Sequence, residues 1–388
     1  MRRLLITTLN PAAYHGHGKR PPFFEGWYYK AIDASELHRY AIIPGVFLSD
    51  DPAKHHAFVQ VLDGRTGQTT YHRYPADEFW AADGSLDLHI GPNRFTADGL
   101  SVQIDTPELA MSGELHFGPV RPWPVTLTSP GIMGWYAWMP FMECYHGVVS
   151  LDHGIEGRLT VNGQAIDFGG GRGYTEKDWG RAFPQAWIWY QTNHFEQPGI
   201  SLTCSLATVP WIRRPFSGFI AGLWHGGVLY RFATYTGATI ERLEITDRQV
   251  SWAVRNKRHR LEMVAARAEH GLLHAPTTVD MERRIAETLT GTVEVRLTEV
   301  PRKGRPGGRT LFQGTGRYAG MEAVGNLEQL AAMVHIPAQA PASARSSSRD
   351  SDSRGGRARR NKRLDLLKIA VFPWSKRKRY PPRTKRSR

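Results

Sequence analysis

From Phe23 to about Tyr318 the chain is a succession of short strand-like runs between turn residues, with almost no apolar spacing of the helical kind. Gly26–Ile32, Tyr40–Phe47, Ala57–Asp63, Thr69–Tyr74, Ser85–Ile90 and Leu100–Ile104 follow one another, with Asp63-Gly64 and Ala82-Asp83-Gly84 as turns. A Pro- and aromatic-rich stretch, Val120 to Phe141, leads to runs at Tyr145–Asp152 and Ile155–Val161, joined through His153-Gly154. Ala186–Phe195, Ile200–Val209, Gly218–His225 and Gly227–Thr234 continue the pattern. Val161-Asn162-Gly163-Gln164 and Trp224-His225-Gly226-Gly227-Val228 read as hairpins. Twelve Trp, 14 Tyr and 16 Phe beside 39 Gly and 25 Pro suit strands and turns. The predicted class is all-β, as antiparallel sandwiches or barrels. An irregular leader (1–20) precedes two β-rich halves of similar size, 21–165 and 166–335, without a residue-level repeat between them. The plausible helices are short, such as Val324–His335.

The net charge of +14 misleads at first sight. Residues 341–388 hold 17 of the 50 Lys and Arg against Asp350, Asp352 and Asp365, which is the whole excess. The body is formally neutral, so partner electrostatics concern the tail. From 336 onward, Pro, Ala, Ser and Arg predict a disordered basic tail. Its apolar island, Leu364 to Trp374, lies between basic clusters. Peripheral contact of residues 345–388 with an anionic membrane, nucleic-acid binding and a dispensable extension all fit that pattern, and the first is expected only for a chain whose ligand itself lives in membranes. Cys144 and Cys204 make neither a disulfide framework nor a zinc site. Leu4 to Leu9 is too short and polar for a signal peptide, and no run of about 18 apolar residues exists to span a bilayer. The expected location is the cytoplasm; the sequence sets no oligomeric state.

Two clusters could carry chemistry. In Phe23-Phe24-Glu25-Gly26-Trp27-Tyr28-Tyr29-Lys30, strand alternation puts Glu25, Trp27 and Tyr29 on one face and Gly26, Tyr28 and Lys30 on the other. A carboxyl against aromatic walls can stay protonated, although an acid on a strand edge is more often exposed or ion-paired. The second cluster runs Gly169-Gly170-Gly171-Arg172-Gly173-Tyr174-Thr175-Glu176-Lys177-Asp178-Trp179-Gly180, then Phe183-Pro184 and Trp187 to Phe195. No helical pattern follows its glycines, so they suit a bend or a close backbone approach rather than a phosphate cradle. Trp187, Trp189, Gln191 and Asn193 share a face. Two indoles in line with two amides suit an apolar ligand with a polar aromatic head, or equally a satisfied barrel core. Glu176 and Asp178 could instead form salt bridges with Arg172, Lys177 or Arg181 that order the loop. His15, His17, His55, His56, His146 and His153 show no metal-ligand spacing with supporting acids.

Both clusters closely resemble the signature segments of the tocopherol cyclase family: Phe-Phe-Glu-Gly-Trp-Tyr-Tyr-Lys at 23–30 and Gly-Tyr-Thr-Glu-Lys-Asp-Trp-Gly at 173–180. Phe183-Pro184, Trp187-Ile188-Trp189 and Gln191-Thr192-Asn193 extend the likeness, which spans roughly 20–335. It departs at Asp178, where plant members carry Asn, and the basic tail has no counterpart.

The resemblance implies two lipocalin-like barrels holding a hydrophobic prenylated aromatic molecule. It implies closure of a prenylated hydroquinone to a chromanol, without cofactor or metal. An acid protonates the alkene, aromatic faces stabilise the tertiary cation, and the phenol oxygen closes the ring. The carboxyls within the matching motifs are Glu25, Glu176 and Asp178. Trp27, Tyr29, Tyr174, Trp179, Trp187, Trp189, Gln191 and Asn193 are the expected cavity lining. A carrier using the same cavity, or an isoprenoid alkene hydratase, are the rival readings. Carboxyls facing the cavity would favour an enzyme over a carrier.

Overall fold

In a computed structural model, which describes residues 2–336 except 213, 269, 270 and 302–307, the strands assemble into two large antiparallel sheets. The all-β expectation of two antiparallel modules holds. The expected disorder and membrane contact of the tail fall on residues 337–388, outside the described residues.

The first sheet has twelve strands. Its middle runs His56–Asp63, Arg39–Leu48, Phe23–Ile32, Gly171–Gly180, Cys144–Val161 and Ala110–Phe117. Strands near both ends of the sheet contribute to one core, with Val59 and Val61 from one side and Leu88 and Phe95 from the other, so the sheet curls on itself. The second sheet has ten strands, with Phe216–His225, Ser201–Val209, Trp187–Thr192, Thr310–Val324 and Met281–Glu299 adjacent in that order. It encloses its own core around Tyr190, Leu206, Phe232 and Trp252.

A third cluster lies where the two sheets meet, formed by Tyr28, Trp123, Tyr174, Trp187, Trp189, Ile285 and neighbours. Alternation explains it: Trp27 and Tyr29 point into the first core while Tyr28 points to the junction. On Trp187–Thr192, Ile188 and Tyr190 enter the second core and the two Trp face the junction. These strands are buried on both faces, so their sequences read as nearly unbroken apolar runs.

Several local expectations needed correction. The leader is not wholly irregular, because Arg2–Thr8 is helical. Tyr145–Asp152 and Ile155–Val161 are one strand, Cys144–Val161, and no turn forms at His153-Gly154. Irregular pairing at Val148/Ser150 and Ser150/His153 absorbs the break while Gly171–Gly180 stays alongside. The terminal helix is only Leu327–Ala332. Asn326 starts it by accepting from the Gln329 N–H at 2.9 Å, and the residues up to Val324 pair with Trp187–Gln191 instead. Beyond the join expected at 165/166, Gly171–Gly180 lies in the first sheet beside Phe23–Ile32. Both hairpin turns form, with Asn162, Gly163, Gly226 and Gly227 at positive φ. The Gly171 position allows the expected close approach: a Cβ there would lie 2.4 Å from the Ile32 carbonyl oxygen.

Candidate active site

The chemistry-bearing residues at the junction come from two facing rows. In the first sheet, strand register sets Val148 beside Glu176 and Glu176 beside Tyr28, and one step along, His146 beside Asp178. In the second sheet, Ser205, Trp189, Glu322 and Glu287 are neighbours across four strands. Between the rows lies a cavity walled by Tyr28, Phe183, Trp187, Trp189, Phe219 and Ile285, into which Glu176, Asp178, Glu287 and Glu322 are built.

Hydrogen bonds cross the gap in both directions. The Tyr28 hydroxyl donates to Glu287 Oε1 in a short contact, and Trp189 Nε1 donates to Glu176 Oε2 at 3.3 Å. Tyr174 donates to the same Glu176 oxygen, and Trp187 Nε1 donates to Glu322 Oε2 at 2.5 Å. Glu287 and Glu322, side by side on adjacent strands, cannot both carry charge without repulsion. Burial first, and then Glu322, push the Glu287 carboxyl well above the ordinary 4.5, so it stays protonated. Burial raises Glu176 and Glu322 to about 7, against the pull of their hydrogen-bond donors.

His146 is the compensating cation. Burial disfavours its charge, but Glu176 and Asp178 outweigh burial and push it up to about 9. Its Nδ1 donates to Asp178 Oδ1 at 3.0 Å and its Nε2 lies 3.5 Å from Glu176 Oε2. Among the described residues, these three are the group whose atoms could gather on a metal ion, within 4.8 Å of one another. The ring presents a different nitrogen to each acid, however, and a single ion would meet only one of them. The trio therefore reads as an imidazolium between two carboxyl groups.

The sequence-predicted residues divide. Glu176, Asp178, Trp187 and Trp189 line the cavity, Tyr174 stands behind Glu176, and the Trp27 ring turns into the first core instead. Gln191 and Asn193 lie off the cavity and fasten the two sheets together. Gln191 accepts from Lys30 Nζ at 3.1 Å, while Asn193 donates to Asp152 at 3.1 Å and to the Gly173 carbonyl at 2.8 Å. Tyr29 donates to the Thr96 carbonyl at 2.9 Å inside the first core.

Glu25 and Trp179 belong to the opposite face of their strands. Glu25 is fully buried against Lys177 in a short ion pair, and the His15 N–H donates to it at 2.8 Å. The Lys177 ammonium sits 4.6 Å from the Trp27 ring and 4.9 Å from the Trp179 ring. Burial would raise Glu25, but Lys177 and His15 overcome it and hold the carboxyl below its ordinary value. Glu25 is thus an ionised partner rather than a protonated acid facing the cavity.

Sequence reasoning missed Tyr28, His146, Glu287 and Glu322. A signal existed for Glu287: it falls between Ile285 and Leu289 on an alternating buried set, where an acid is out of place. Nothing local marks His146, whose partners arrive from another strand.

The model of the family described as tocopherol cyclase-like matches residues 103–325, more than half the chain. The chain belongs to the tocopherol cyclase-like family. Among curated relatives, this family member is 25% identical to "Tocopherol cyclase, chloroplastic" of Zea mays, over 81% of this chain and 77% of the relative. It is 24% identical to "Probable tocopherol cyclase, chloroplastic" of Oryza sativa subsp. japonica, over 81% and 78%. Among solved structures it is similar to kievitone hydratase from Nectria haematococca, at 13% identity and a TM-score of 0.44, over 81% and 94% of the two chains. CghA is similar at 12% identity and a TM-score of 0.45, over 79% and 89%. No helix among the described residues of this tocopherol cyclase-like chain is long and apolar enough to cross a membrane.

Proposed function

We propose that this protein closes a prenylated hydroquinone to a chromanol inside the junction cavity, by alkene protonation and internal phenol attack. The observation that carries the reading is the Glu287–Glu322 pair: a buried carboxyl kept protonated by a neighbouring one, in a cavity walled by Trp187, Trp189 and Tyr28. Glu287 transfers its proton to one alkene carbon, and the other carbon becomes a tertiary cation. The indole and phenol faces stabilise that charge, and the apolar wall keeps water from capturing it. The phenol oxygen bonds to the cation and its proton passes to Glu176, which His146 and the Tyr174 and Trp189 donors hold ready to accept it. Asp178 positions His146. Proton return from Glu176 to Glu287, through solvent or Tyr28, completes the cycle, and the net reaction is an isomerisation. Of the expected acids, Glu176 stays in the chemistry as base and Glu25 leaves it. A carrier would have no use for uncompensated acids in an apolar wall, since each one costs stability.

The test is incubation with a phytyl hydroquinone in deuterated buffer. A chromanol shows as a product of new retention time carrying one non-exchangeable deuterium on carbon. Glu287→Gln should lower its formation by roughly 100-fold or more. Tight binding of the quinol without any product, in the unaltered protein, would leave the carrier reading in its place.

A further inference from the structure

Residues 122–142 are twenty-one in a row without Asp, Glu, Lys, Arg or His. They fold as a small hairpin, Val125–Thr126 against Ser129–Pro130, followed by tight 3₁₀ turns over Gly131–Trp138. The Trp138 indole closes the hairpin by donating to the Leu127 carbonyl at 2.9 Å. Against this segment lies the loop after Val209. Its Trp211 ring meets Phe141 at 5.1 Å and Tyr136 at 5.7 Å.

These segments leave large apolar side chains in water. Ile212 is 80% exposed, Leu127 68%, Phe141 47% and Trp135 40%. Lone exposed apolar residues are ordinary, but here Trp135 and Phe141 both meet Trp211, Ile212 follows Trp211 in the chain, and Trp138 ties Leu127 into the same uncharged segment, an apolar patch. The same two segments also supply Met133, Tyr136, Met142, Pro210 and Phe216 to the cavity wall. The patch is the rim of the cavity.

The composition of the rim identifies what it meets. Its most exposed members, Leu127 and Ile212, are aliphatic, whereas the Trp and Tyr rings are less exposed; lipid interfaces sort aliphatic and amphipathic side chains by depth in this way. Exposed Arg121 and Arg214 flank the uncharged segments, where long cationic side chains can reach phosphates. A protein partner would normally face a rim of mixed polar groups. The apolar wall also continues from the rim into the cavity, so an isoprenoid chain could pass from acyl chains to the cavity without crossing water.

We propose that this rim docks on a lipid bilayer surface, with Leu127, Phe141 and Ile212 entering the acyl region and the cavity mouth facing the membrane. The proposal rests on the mouth and not on the reaction. It is tested by binding alone, so its failure is distinct from failure of the cyclisation. The full chain is floated with phosphatidylcholine vesicles at about 0.5 M salt, which screens the basic residues of 341–388. Flotation is expected, and the triple variant L127S/F141S/I212S should bind about tenfold or more weakly. Vesicles with bromine on the acyl chains should quench Trp fluorescence of the unaltered chain, a readout that needs no variant. Absence of both flotation and quenching at high salt, or equal flotation of the triple variant, overturns the proposal. So does self-association in solution that the same three substitutions abolish, which would give the patch to a second copy of the chain.

Discussion

The strands Phe23–Ile32 and Gly171–Gly180 carry buried carboxyl groups on both faces, and the two faces treat them oppositely. On one, Glu25 meets the Lys177 ammonium in a dry slot between Trp27 and Trp179, so it stays ionised. On the other, Glu176, Glu287 and Glu322 crowd together, the His146 imidazolium is drawn toward Glu176 and Asp178, and proton uptake covers the excess of acid. Burial is nearly the same on both. What decides whether a buried acid can donate a proton is the local balance of charge, not depth.

That contrast can be broken by substitution. The largest expected effect is at Glu25. Glu25→Gln leaves the Lys177 ammonium buried without its partner and should cost about 3–5 kcal/mol in urea unfolding. Glu25→Met with Lys177→Met should recover most of that loss; if it does not, the pair has a role beyond charge balance. On the other face, Glu287→Gln should reduce chromanol formation by roughly 100-fold while leaving stability nearly unchanged, because Gln is as neutral as the protonated acid it replaces. A stability loss as large as that of Glu25→Gln would mean that the two faces are not different in kind. Trp189→Phe keeps the aromatic wall and removes the donor to Glu176. It should slow turnover by about tenfold and raise the acidic limb of the pH–rate profile.

The smallest effect is in stability against pH, where the faces carry opposite signs. Glu25 lies below its ordinary 4.5, so the stability from its pair is present above that value and lost as pH falls through its folded value. Glu176 and Glu322 lie at about 7, above the ordinary 4.5. The stability tied to their neutral forms is complete below 4.5 and lost as pH rises through about 7. Melting temperature should therefore decline on both sides of the mildly acidic range. Glu322→Gln should flatten the neutral side alone.

How much of this was legible in the sequence depends on range. Alternation correctly separated Trp27 and Tyr29 from Tyr28 and Lys30, because strand geometry is a local property. It could not say which face would meet a cavity. Glu25 stood in a matching motif and so attracted the acid role, yet its partner Lys177 is 152 residues away. Tyr28 and Glu287 are 259 residues apart, and their contact exists only once both sheets have formed. The paired aromatics at Trp187 and Trp189 were readable as a wall, whereas the amides Gln191 and Asn193 on the same face proved to be joinery. Side-chain chemistry alone does not distinguish a ligand's polar contact from a bond to Lys30 or Asp152.

The first sheet closes around a strand that arrives late. Phe23–Ile32 pairs with Gly171–Gly180, and Trp187 opens the second sheet only seven residues further on. During synthesis the amino-terminal half must wait for more than a hundred residues before its middle is filled, and meanwhile Trp27, Tyr28 and Tyr29 have an unpaired flank. A ribosome-associated nascent chain of that length would be the species most in need of a chaperone.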